Sequence, residues 1–280
     1  MQFSYYQPRG EIGPLVSSYY SVTFPQTISD IMRAEIANVR FVIGGRIESN
    51  LGGIRRESRK GDTLLCGPTH QASPVTFEAG FHVFGAAITP LGWARMFDIS
   101  ADELADRIVP LEDHVGEKNL PLVERIFSAP DDAARALRCD ELFAAMIDRK
   151  KQINHVFLDQ MTTWITSPED FELADLKAAL PMSPRQIERL SRRYFGASPR
   201  TVHRKFRALN SANRLTWQDL DDWRDVAATR YSDQSHFIRE FKHFNGRTPM
   251  EFIKGTHLLV RTTLQERLKI VHKSPYSLIG

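Results

Sequence analysis

The sequence predicts a two-domain α+β protein, in which a small β-sandwich or barrel-like N-terminal domain with helices precedes an all-α C-terminal domain. Three observations predict this fold class. Residues 1–98 alternate short β-rich segments with glycine turns, the C-terminal half repeats itself at an offset of 50 residues, and the net charge changes sign between the two halves. A chain of 280 residues is long enough for about two such domains.

The composition excludes several classes of protein. With 42% hydrophobic and 25% charged residues, the chain is of ordinary globular composition and is neither disordered nor collagen-like. Its two cysteines cannot form a disulfide framework, and no Cys/His cluster has the spacing of zinc ligands. No apolar run approaches the roughly 20 residues that span a bilayer, and no signal-peptide pattern is present. We therefore expect a cytoplasmic protein without a membrane partner, a metal or a cofactor.

The β-rich domain is predicted over residues 1–115. Its strand-like segments cover residues 16–24, 39–47, 63–66 and 81–88. The pairs Gly44-Gly45 and Gly52-Gly53 predict hairpin turns, which need positive φ. Helical patterns follow in residues 116–168, which we interpret as a linker or dimerisation region. The same apolar stripes would pack equally well against the β-domain.

Two features of the β-rich domain could indicate a ligand or a reaction. Four tyrosines at strand spacing are either the lining of an aromatic pocket or ordinary core residues: Tyr5, Tyr6, Tyr19 and Tyr20. The histidines at 70, 82, 114 and 155 are scattered, and no GxSxG or phosphate-binding loop is present. We therefore predict no enzyme activity and no catalytic residue.

Charge separates the two halves of the chain. Residues 170–280 hold 20 Lys+Arg and 12 Asp+Glu, a net charge of +8, which leaves 17 and 22 of the totals, or −5, for residues 1–169. Between residues 183 and 207 eight basic residues face one acid, Glu188. Such asymmetry favours a polyanionic partner, although a cluster of this kind can also be a solvated helix face.

The internal repeat lies in the basic half. The matched positions are Ser183 with Asp233, Ile187 with Phe237, Arg189 with Arg239, Arg192 with Lys242, Tyr194 with Phe244, Gly196 with Gly246, and Ser198-Pro199 with Thr248-Pro249. Ser183 and Gln186 form a capping-box pattern, and each glycine stands where a helix would end. A shorter helical pattern precedes each copy, so each unit is predicted to be a helix-turn-helix, whose second helix fits the major groove of DNA.

The apolar positions of each second helix leave a polar face for DNA. Ile187, Leu190 and Tyr194 are predicted to face inward in the first unit, and Phe237, Phe241 and Phe244 in the second. The predicted DNA contacts are Arg185, Gln186, Glu188, Arg189, Arg192 and Arg193 in the first unit, and Gln234, Ser235, Ile238, Arg239 and Lys242 in the second. Arginine can bond bidentately to guanine, and glutamine to adenine.

The strings Asp233-Gln234-Ser235-His236-Phe237-Ile238-Arg239-Glu240-Phe241-Lys242 and Asn245-Gly246-Arg247-Thr248-Pro249 resemble the signature of the AraC/XylS family of bacterial transcription regulators. The resemblance covers residues 169–256 and implies two helix-turn-helix units joined by a central helix over about 199–213. It also implies phosphate contacts by Arg200, Arg204 and Arg207. Residues 257–280 form a C-terminal tail to which the sequence assigns no role.

Four positions depart from the family pattern. Pro181 and Arg230 stand in turns that usually carry glycine, Lys177 replaces a small alanine, and Ser191 replaces a large apolar residue. The resemblance implies a sequence-specific DNA-binding regulator controlled by a small-molecule effector or by dimerisation. Its expected partners are double-stranded DNA, a small-molecule effector, a second copy of the chain and RNA polymerase. The alternative is a ligand-binding or protein-interaction module whose diverged helix-turn-helix domain no longer reads DNA.

Overall fold

A computed structural model describes residues 1–167, 172–220, 222–227, 231, 233–255, 257–270 and 274–278. It confirms the predicted fold class, a β-rich N-terminal domain followed by a helical C-terminal domain. The predicted boundary at residues 168–169 and the turn residue Arg230 lie outside the described residues. None of the described helices is long and apolar enough to cross a membrane.

The N-terminal domain contains two antiparallel sheets. Its strands are β1 (Gln2–Tyr6), β2 (Val16–Phe24), β3 (Ile28–Met32), β4 (Ala37–Gly44), β5 (Arg46–Leu51), β6 (Ile54–Arg59), β7 (Thr63–Cys66), β8 (Ser73–Phe77), β9 (Phe81–Ile88) and β10 (Ile108–Pro110). One sheet has the order β1-β2-β9-β4-β7-β10 and the other the order β3-β8-β5-β6. Each side chain of the six-stranded sheet therefore points either toward the four-stranded sheet or toward the helices on the other side.

Side chains alternate between the two faces of the six-stranded sheet, as the period of a β-strand requires. Tyr19 and Phe84 belong to a core beneath helices, whereas Val22 and Val83 belong to a second core between the sheets. Both faces are covered, so β2 and β9 are buried along almost their whole length, including the serines of β2.

The predicted segment 39–47 is two strands rather than one. β4 ends at Gly44 in one sheet and β5 begins at Arg46 in the other, so Gly44-Gly45 is a crossover and not a hairpin turn. Gly45 has φ of 67°, and a Cβ there would lie 2.5 Å from the Cα of Phe81. Gly52-Gly53, both with positive φ, do form the predicted hairpin turn between β5 and β6.

The described helices are α1 (Pro90–Met96), α2 (Glu112–Val115), α3 (Leu120–Phe127), α4 (Asp132–Met146), α5 (His155–Thr166), α6 (Leu173–Ala179), α7 (Pro184–Phe195), α8 (Pro199–Trp217), α9 (Trp223–Ala227), α10 (Gln234–Asn245), α11 (Pro249–Lys254) and α12 (Leu258–Leu268). The apolar faces of α3 and α4 pack into the core beneath the six-stranded sheet. Helix α5 packs instead against α6, α7 and α8.

The two domains share a continuous apolar cluster. Ala34, Ile36 and Ala94 of the N-terminal domain lie in the same cluster as Ile187 and Phe206 of the helical domain. Arg247, after α10, pairs with Asp30 of β3, and both side chains are nearly buried. The helical domain is therefore packed directly on the β-domain.

Candidate nucleic-acid interface

Helix α7 is fixed at both ends by local sequence. Ser183 accepts a hydrogen bond from the Gln186 backbone N–H, and the Gln186 side chain accepts one from the Ser183 N–H, which completes the capping box. Pro184 occupies the first helical position, where its missing N–H has no cost. Gly196 ends the helix at φ of 82°, in the left-handed region that glycine enters without steric penalty.

Helix α10 also has a capping side chain and a terminal glycine, but it begins with Gln234 instead of a proline. The Asp233 side chain caps its first turn by accepting from the Ser235 N–H at 2.8 Å, and Gly246 ends the helix at φ of 80°. Its buried stripe is Phe237, Phe241 and Phe244, as the sequence predicts. Each second helix therefore has one apolar face in the core and one polar face turned away from it.

Helix α8 joins the two units and is longer than predicted, reaching Trp217. It packs against α5, α7, α10 and α12, and Ala208, Leu209 and Ala212 are fully buried on it. Small residues let neighbouring helices approach closely. This packing fixes α7 and α10 relative to one another through one rigid element.

Most of the predicted contact residues are exposed. The exposed set is Arg185, Gln186, Arg189, Arg192, Arg193, Arg200, Gln234, Ser235, Arg239 and Lys242. Glu188 is partly buried and accepts from Arg192 at 3.0 Å, one helical turn away. Ile238 is partly buried against the apolar core of the second unit. The Arg193 side chain lies beside the N-terminal domain, where it lines a groove with Trp93 and Asp98.

Arg204 and Arg207, the implied phosphate contacts on α8, are paired within the domain, with side chains 39% and 15% exposed. Both bind the carboxylate of Glu240, a residue on α10 whose side chain is fully buried: Arg204 Nε donates at 2.7 Å and Arg207 Nη2 at 3.0 Å. The Tyr231 hydroxyl donates to the same carboxylate at 2.8 Å, and its ring lies 4.1 Å from the Arg207 guanidinium. The cluster joins the linker helix to the second recognition helix.

Sequence reasoning did not identify Glu240, although a signal was available. At the offset of 50 residues, Glu240 corresponds to Leu190, which is buried in the first unit. On α10 it lies three residues after Phe237 and four before Phe244, and therefore on the inward face. A carboxylate at that position requires buried cationic partners.

Three departures from the family pattern are accommodated by the structure. The Ser191 hydroxyl, fully buried, donates to the carbonyl of Ala197 at 2.7 Å and so stabilises the turn after α7. Lys177 is exposed on α6 and does not enter the contact between helices. Pro181 is exposed after α6 has ended at Ala179, so its missing N–H interrupts no helix.

The C-terminal ends of both recognition helices are docked on the β-domain. The Ala101 N–H donates to the Arg193 carbonyl at 2.9 Å, and the Ala72 N–H donates to the His243 carbonyl at 3.0 Å. Between these contacts the buried Lys205 of α8 donates to the carbonyls of Glu35 and Thr69 at 3.1 and 3.2 Å. Burial lowers the pKa of Lys205 to about 7. The N-terminal halves of α7 and α10 stay exposed.

A cavity of about 100 Å³ lies between the two sheets of the N-terminal domain. Tyr5 and Tyr20 line it, whereas Tyr6 and Tyr19 pack on the opposite side of the sheet, against the core beneath the helices. Two of the four tyrosines thus line a pocket and two are core residues, the two alternatives that the sequence left open. The split arises because neighbouring residues of a strand face opposite sides of the sheet.

Comparison with known proteins agrees with the repeat. A family profile described as a helix-turn-helix domain matches residues 176–255. A comparison with curated protein sequences returned no match.

The chain is also similar to solved structures of ToxT from Vibrio cholerae. An apo variant has 11% identity and a TM-score of 0.48, with 89% of this chain and 98% of that chain covered. ToxT bound to (E)-4-(8-methylnaphthalen-1-yl)but-3-enoic acid has 10% identity and a TM-score of 0.48, with 90% and 98% covered. Unsaturated fatty acid bound ToxT has 11% identity and a TM-score of 0.46, with 84% and 93% covered. With its profile match, its capped second helices and its joining helix, the segment 176–255 of this chain is an AraC-type helix-turn-helix domain.

Proposed function

We propose that the protein is a sequence-specific, DNA-binding transcription regulator of the bacterial type, controlled by a small molecule bound in its N-terminal domain. The observation that carries this proposal is the pairing of α7 and α10, two capped helices whose first turns are exposed and basic or amide-bearing while their last turns are anchored. A helix-turn-helix protein places the N-terminal residues of its second helix against base edges. The exposed parts of α7 and α10 are the parts that this docking mode uses.

On α7, we assign base reading to Arg185, Gln186 and Arg189, with Arg192 beside them. Gln186 Oε1 accepts from the Ser183 N–H at 2.9 Å, which holds the side chain at the start of the helix. Its NH₂ group can then donate to a base acceptor. Arg189 is exposed one turn further along, where a guanidinium can reach guanine O6 and N7.

On α10, Gln234, Ser235, Arg239 and Lys242 form the corresponding surface. Arg239 stands at the offset of 50 residues from Arg189, so the two arginines take equivalent positions in successive major-groove segments about one helical turn apart. Arg200, exposed in the first turn of α8, is the candidate phosphate contact. Arg204 would act indirectly, by fixing α10 through Glu240.

The cavity between the sheets supports the effector role. Protein interiors are close-packed. A cavity of about 100 Å³ with aromatic and aliphatic walls is therefore unexpected in a domain with a purely structural role. Occupancy would shift the balance between arrangements of the two domains and so the affinity for DNA. The same proposal includes contact with RNA polymerase and dimerisation through the surfaces of α3, α4 and α5 that the β-domain and the helices α6–α8 leave uncovered.

The test is a selection from random duplex DNA with the full-length protein, followed by titration of the selected duplex against a scrambled one at several salt concentrations. We expect a site with two motifs about one helical turn apart, bound at least roughly 10³-fold more tightly than scrambled DNA. Weak binding that depends steeply on salt, without an enriched site, would favour the alternative of a module that no longer reads DNA.

Two variants separate base reading from phosphate binding. We expect Arg239→Ala to cost about 1–3 kcal/mol on the selected site and to relax the sequence preference in one motif. Arg200→Ala should weaken binding to all duplexes alike and reduce the salt slope by about 1. Equal effects of both variants on selected and scrambled duplexes would contradict the assignment of Arg239 to a base.

A further inference from the structure

A groove of about 360 Å³ follows one flank of helix α7, between that helix and the N-terminal half of the chain. Gln186, Arg189 and Arg193 of α7 form one wall. Gln152 and Asn154, from the loop before α5, form the other wall. Because Gln186 and Arg189 are assigned to base reading, the groove borders the surface of α7 that faces DNA.

The outer wall belongs to the α4–α5 loop, residues 147–154, which is held on the N-terminal domain through α1. The Asp148 N–H donates to the Arg95 carbonyl at 3.0 Å, and Arg95 Nη1 donates to the Lys151 carbonyl at 3.0 Å. Lys151 Nζ donates to the Phe97 carbonyl, just after α1, at 2.7 Å. The α4–α5 loop is therefore part of the N-terminal domain rather than a free linker.

The end of the same loop is fixed against α7. Asn154 Oδ1 accepts from the Phe157 N–H at 2.9 Å and so caps α5. The fully buried ring of Phe157 packs against Tyr194 and Phe195 of α7, with centroids 6.2 and 6.3 Å away. The two walls of the groove are therefore held at a fixed separation.

The groove carries positive charge. Its described lining contains two arginines of α7 and no acid. In the α4–α5 loop, Arg149 pairs with Glu11, and Lys151 pairs with Asp98. The exposed Lys150 between them has no carboxylate partner among the described residues. The positive charge left without an acid therefore lies on the two arginines of α7 and on Lys150 of the loop.

DNA geometry places a phosphate strand beside a recognition helix. The major groove is about 12 Å wide and admits one α-helix, so the two sugar-phosphate strands pass along the flanks of that helix. Phosphate oxygens accept hydrogen bonds from Arg, Lys and Gln side chains. A strand that followed this flank of α7 would meet cationic or amide donors on both walls of the groove.

We propose that the α4–α5 loop is a third DNA-binding element, and that one sugar-phosphate strand of the motif read by α7 lies between Arg193 of that helix and Lys150 and Gln152 of the loop. This inference rests on the proposed function and adds to it a contact made by the N-terminal half of the chain. Phosphate contacts carry no direct sequence information, so the loop would add affinity and orientation rather than specificity. A bound duplex would touch both domains.

The experiment titrates the selected and the scrambled duplex with full-length Lys150→Gln and Gln152→Glu. Lys118→Gln and Gln26→Glu are the matched controls, because each makes the same change of charge at an exposed position outside the groove. We expect both groove variants to bind both duplexes at least roughly threefold more weakly than wild type, and Lys150→Gln to reduce the salt slope by about 1. The controls should bind as wild type does.

The sequence preference should be the same in all four variants, because only phosphate contacts are changed. Wild-type affinity and salt slope in both groove variants would overturn the inference. An equal loss of affinity in the groove variants and in their controls would also overturn it, since the effect would then come from net charge and not from the groove.

Photocrosslinking measures the proximity of the loop to DNA independently of affinity. The native cysteines are buried, so an azidophenacyl reagent labels the exposed thiol introduced by Gln152→Cys. We expect irradiation to attach the labelled protein to one strand beside the motif read by α7, and labelled Gln26→Cys to give no such product. Loss of duplex binding on labelling of Gln152→Cys alone would support the same placement, whereas intact binding without a crosslink would overturn it.

The same titrations separate this inference from the proposed function. Unchanged affinity of the groove variants, with Arg239→Ala impaired on the selected duplex, would count against this inference alone. Wild-type binding that does not distinguish the two duplexes, yet is weakened by Lys150→Gln and not by Lys118→Gln, would count against sequence-specific reading alone. A wild-type protein that binds neither duplex would overturn both.

Discussion

In both helix-turn-helix units the second helix starts at a capping side chain and ends at a glycine, but the residues that pack beneath that helix differ. In the first unit Leu190 lies in an apolar cluster that includes α5 and residues of the β-domain. In the second unit the equivalent position is Glu240, held by two arginines and a tyrosine. The repeat therefore preserves the surface geometry, while the support beneath it has changed from apolar packing to a buried ionic cluster.

This difference has a consequence for the basic residues. Arg204 and Arg207 look like DNA contacts in a sequence rich in arginine, and in the structure both also pair with the buried carboxylate of Glu240. In the first unit Arg185, Arg189 and Arg192 are exposed, and among the described residues Glu188 is the acid that pairs with one of them, Arg192. The first unit is thus the stronger candidate for electrostatic attraction to DNA. The second unit is the stronger candidate for a rigidly held base-contacting helix.

The largest effect that separates the two units is expected from Glu240→Ala. Removing one partner of a buried ion pair leaves the others desolvated and unpaired, which typically costs about 3–5 kcal/mol. The surface pair of Glu188 and Arg192 gives the matched control, because an exposed i,i+4 pair contributes about 0.3–0.5 kcal/mol. Urea unfolding of Glu240→Ala and Glu188→Ala measures both. Similar small losses in the two variants would show that the second unit does not depend on its ionic cluster.

The glycines that end α7 and α10, Gly196 and Gly246, both lie against the β-domain, so alanine substitutions there test how closely each unit is packed on it. A Cβ at Gly246 would lie 2.2 Å from Ile31 Cγ2, and one at Gly196 would lie 2.5 Å from Pro68 Cγ. Each alanine variant should lose about 2–4 kcal/mol, from left-handed backbone strain and from overpacking together.

Gly53→Ala is the control for the backbone contribution. Gly53 has φ of 84°, and a Cβ there would meet no described atom within 4 Å, so we expect about 1–2 kcal/mol from backbone strain alone. Thermal unfolding of the three variants measures how much more stability Gly196→Ala and Gly246→Ala lose than Gly53→Ala. If Gly196→Ala and Gly246→Ala lost no more than Gly53→Ala, the two helix ends would not be in contact with the β-domain.

What the sequence predicts well is what local chemistry determines. Strands at 16–24, 63–66 and 81–88 have the predicted bounds because they end at turn residues. Helix α7 begins after Ser183 and ends before Gly196 because both caps are encoded nearby. Glu240 could not be placed in the same way. Its partners Arg204 and Arg207 lie 36 and 33 residues away in the chain, and only the packing of α8 against α10 brings them together.

Lys205 belongs to this second class. Counted in the sequence as one of a basic cluster, it is 1% exposed and donates to two carbonyls of the β-domain. The charged groups that act on it are Asp106 and Glu35, and its own charge contributes to the lowered pKa of the neighbouring His70. The attraction of Asp106 and Glu35 for the Lys205 ammonium is smaller than the free-energy cost of burying that charge. Lys205 therefore carries a desolvation cost at the interface between the domains.

The smallest expected effect on the free energy of unfolding comes from Lys205, and this effect depends on pH. Its pKa is about 7 in the folded protein and 10.5 in an unfolded chain, so between pH 7 and 10 the unfolded chain binds a proton that the folded chain does not. Stability contributed by this residue must therefore rise with pH in that window, by about 2 kcal/mol from pH 7 to pH 9, and change little below pH 6.

The measurement is the free energy of unfolding of wild type and Lys205→Met at pH 6, 7, 8 and 9, with the exposed Lys254→Met as control. Wild type and the control should gain stability together from pH 7 to 9 relative to Lys205→Met. Three parallel curves would mean that Lys205 keeps an ordinary pKa and is hydrated. The gain in stability arises where α8 meets the β-domain, between the docked ends of α7 and α10.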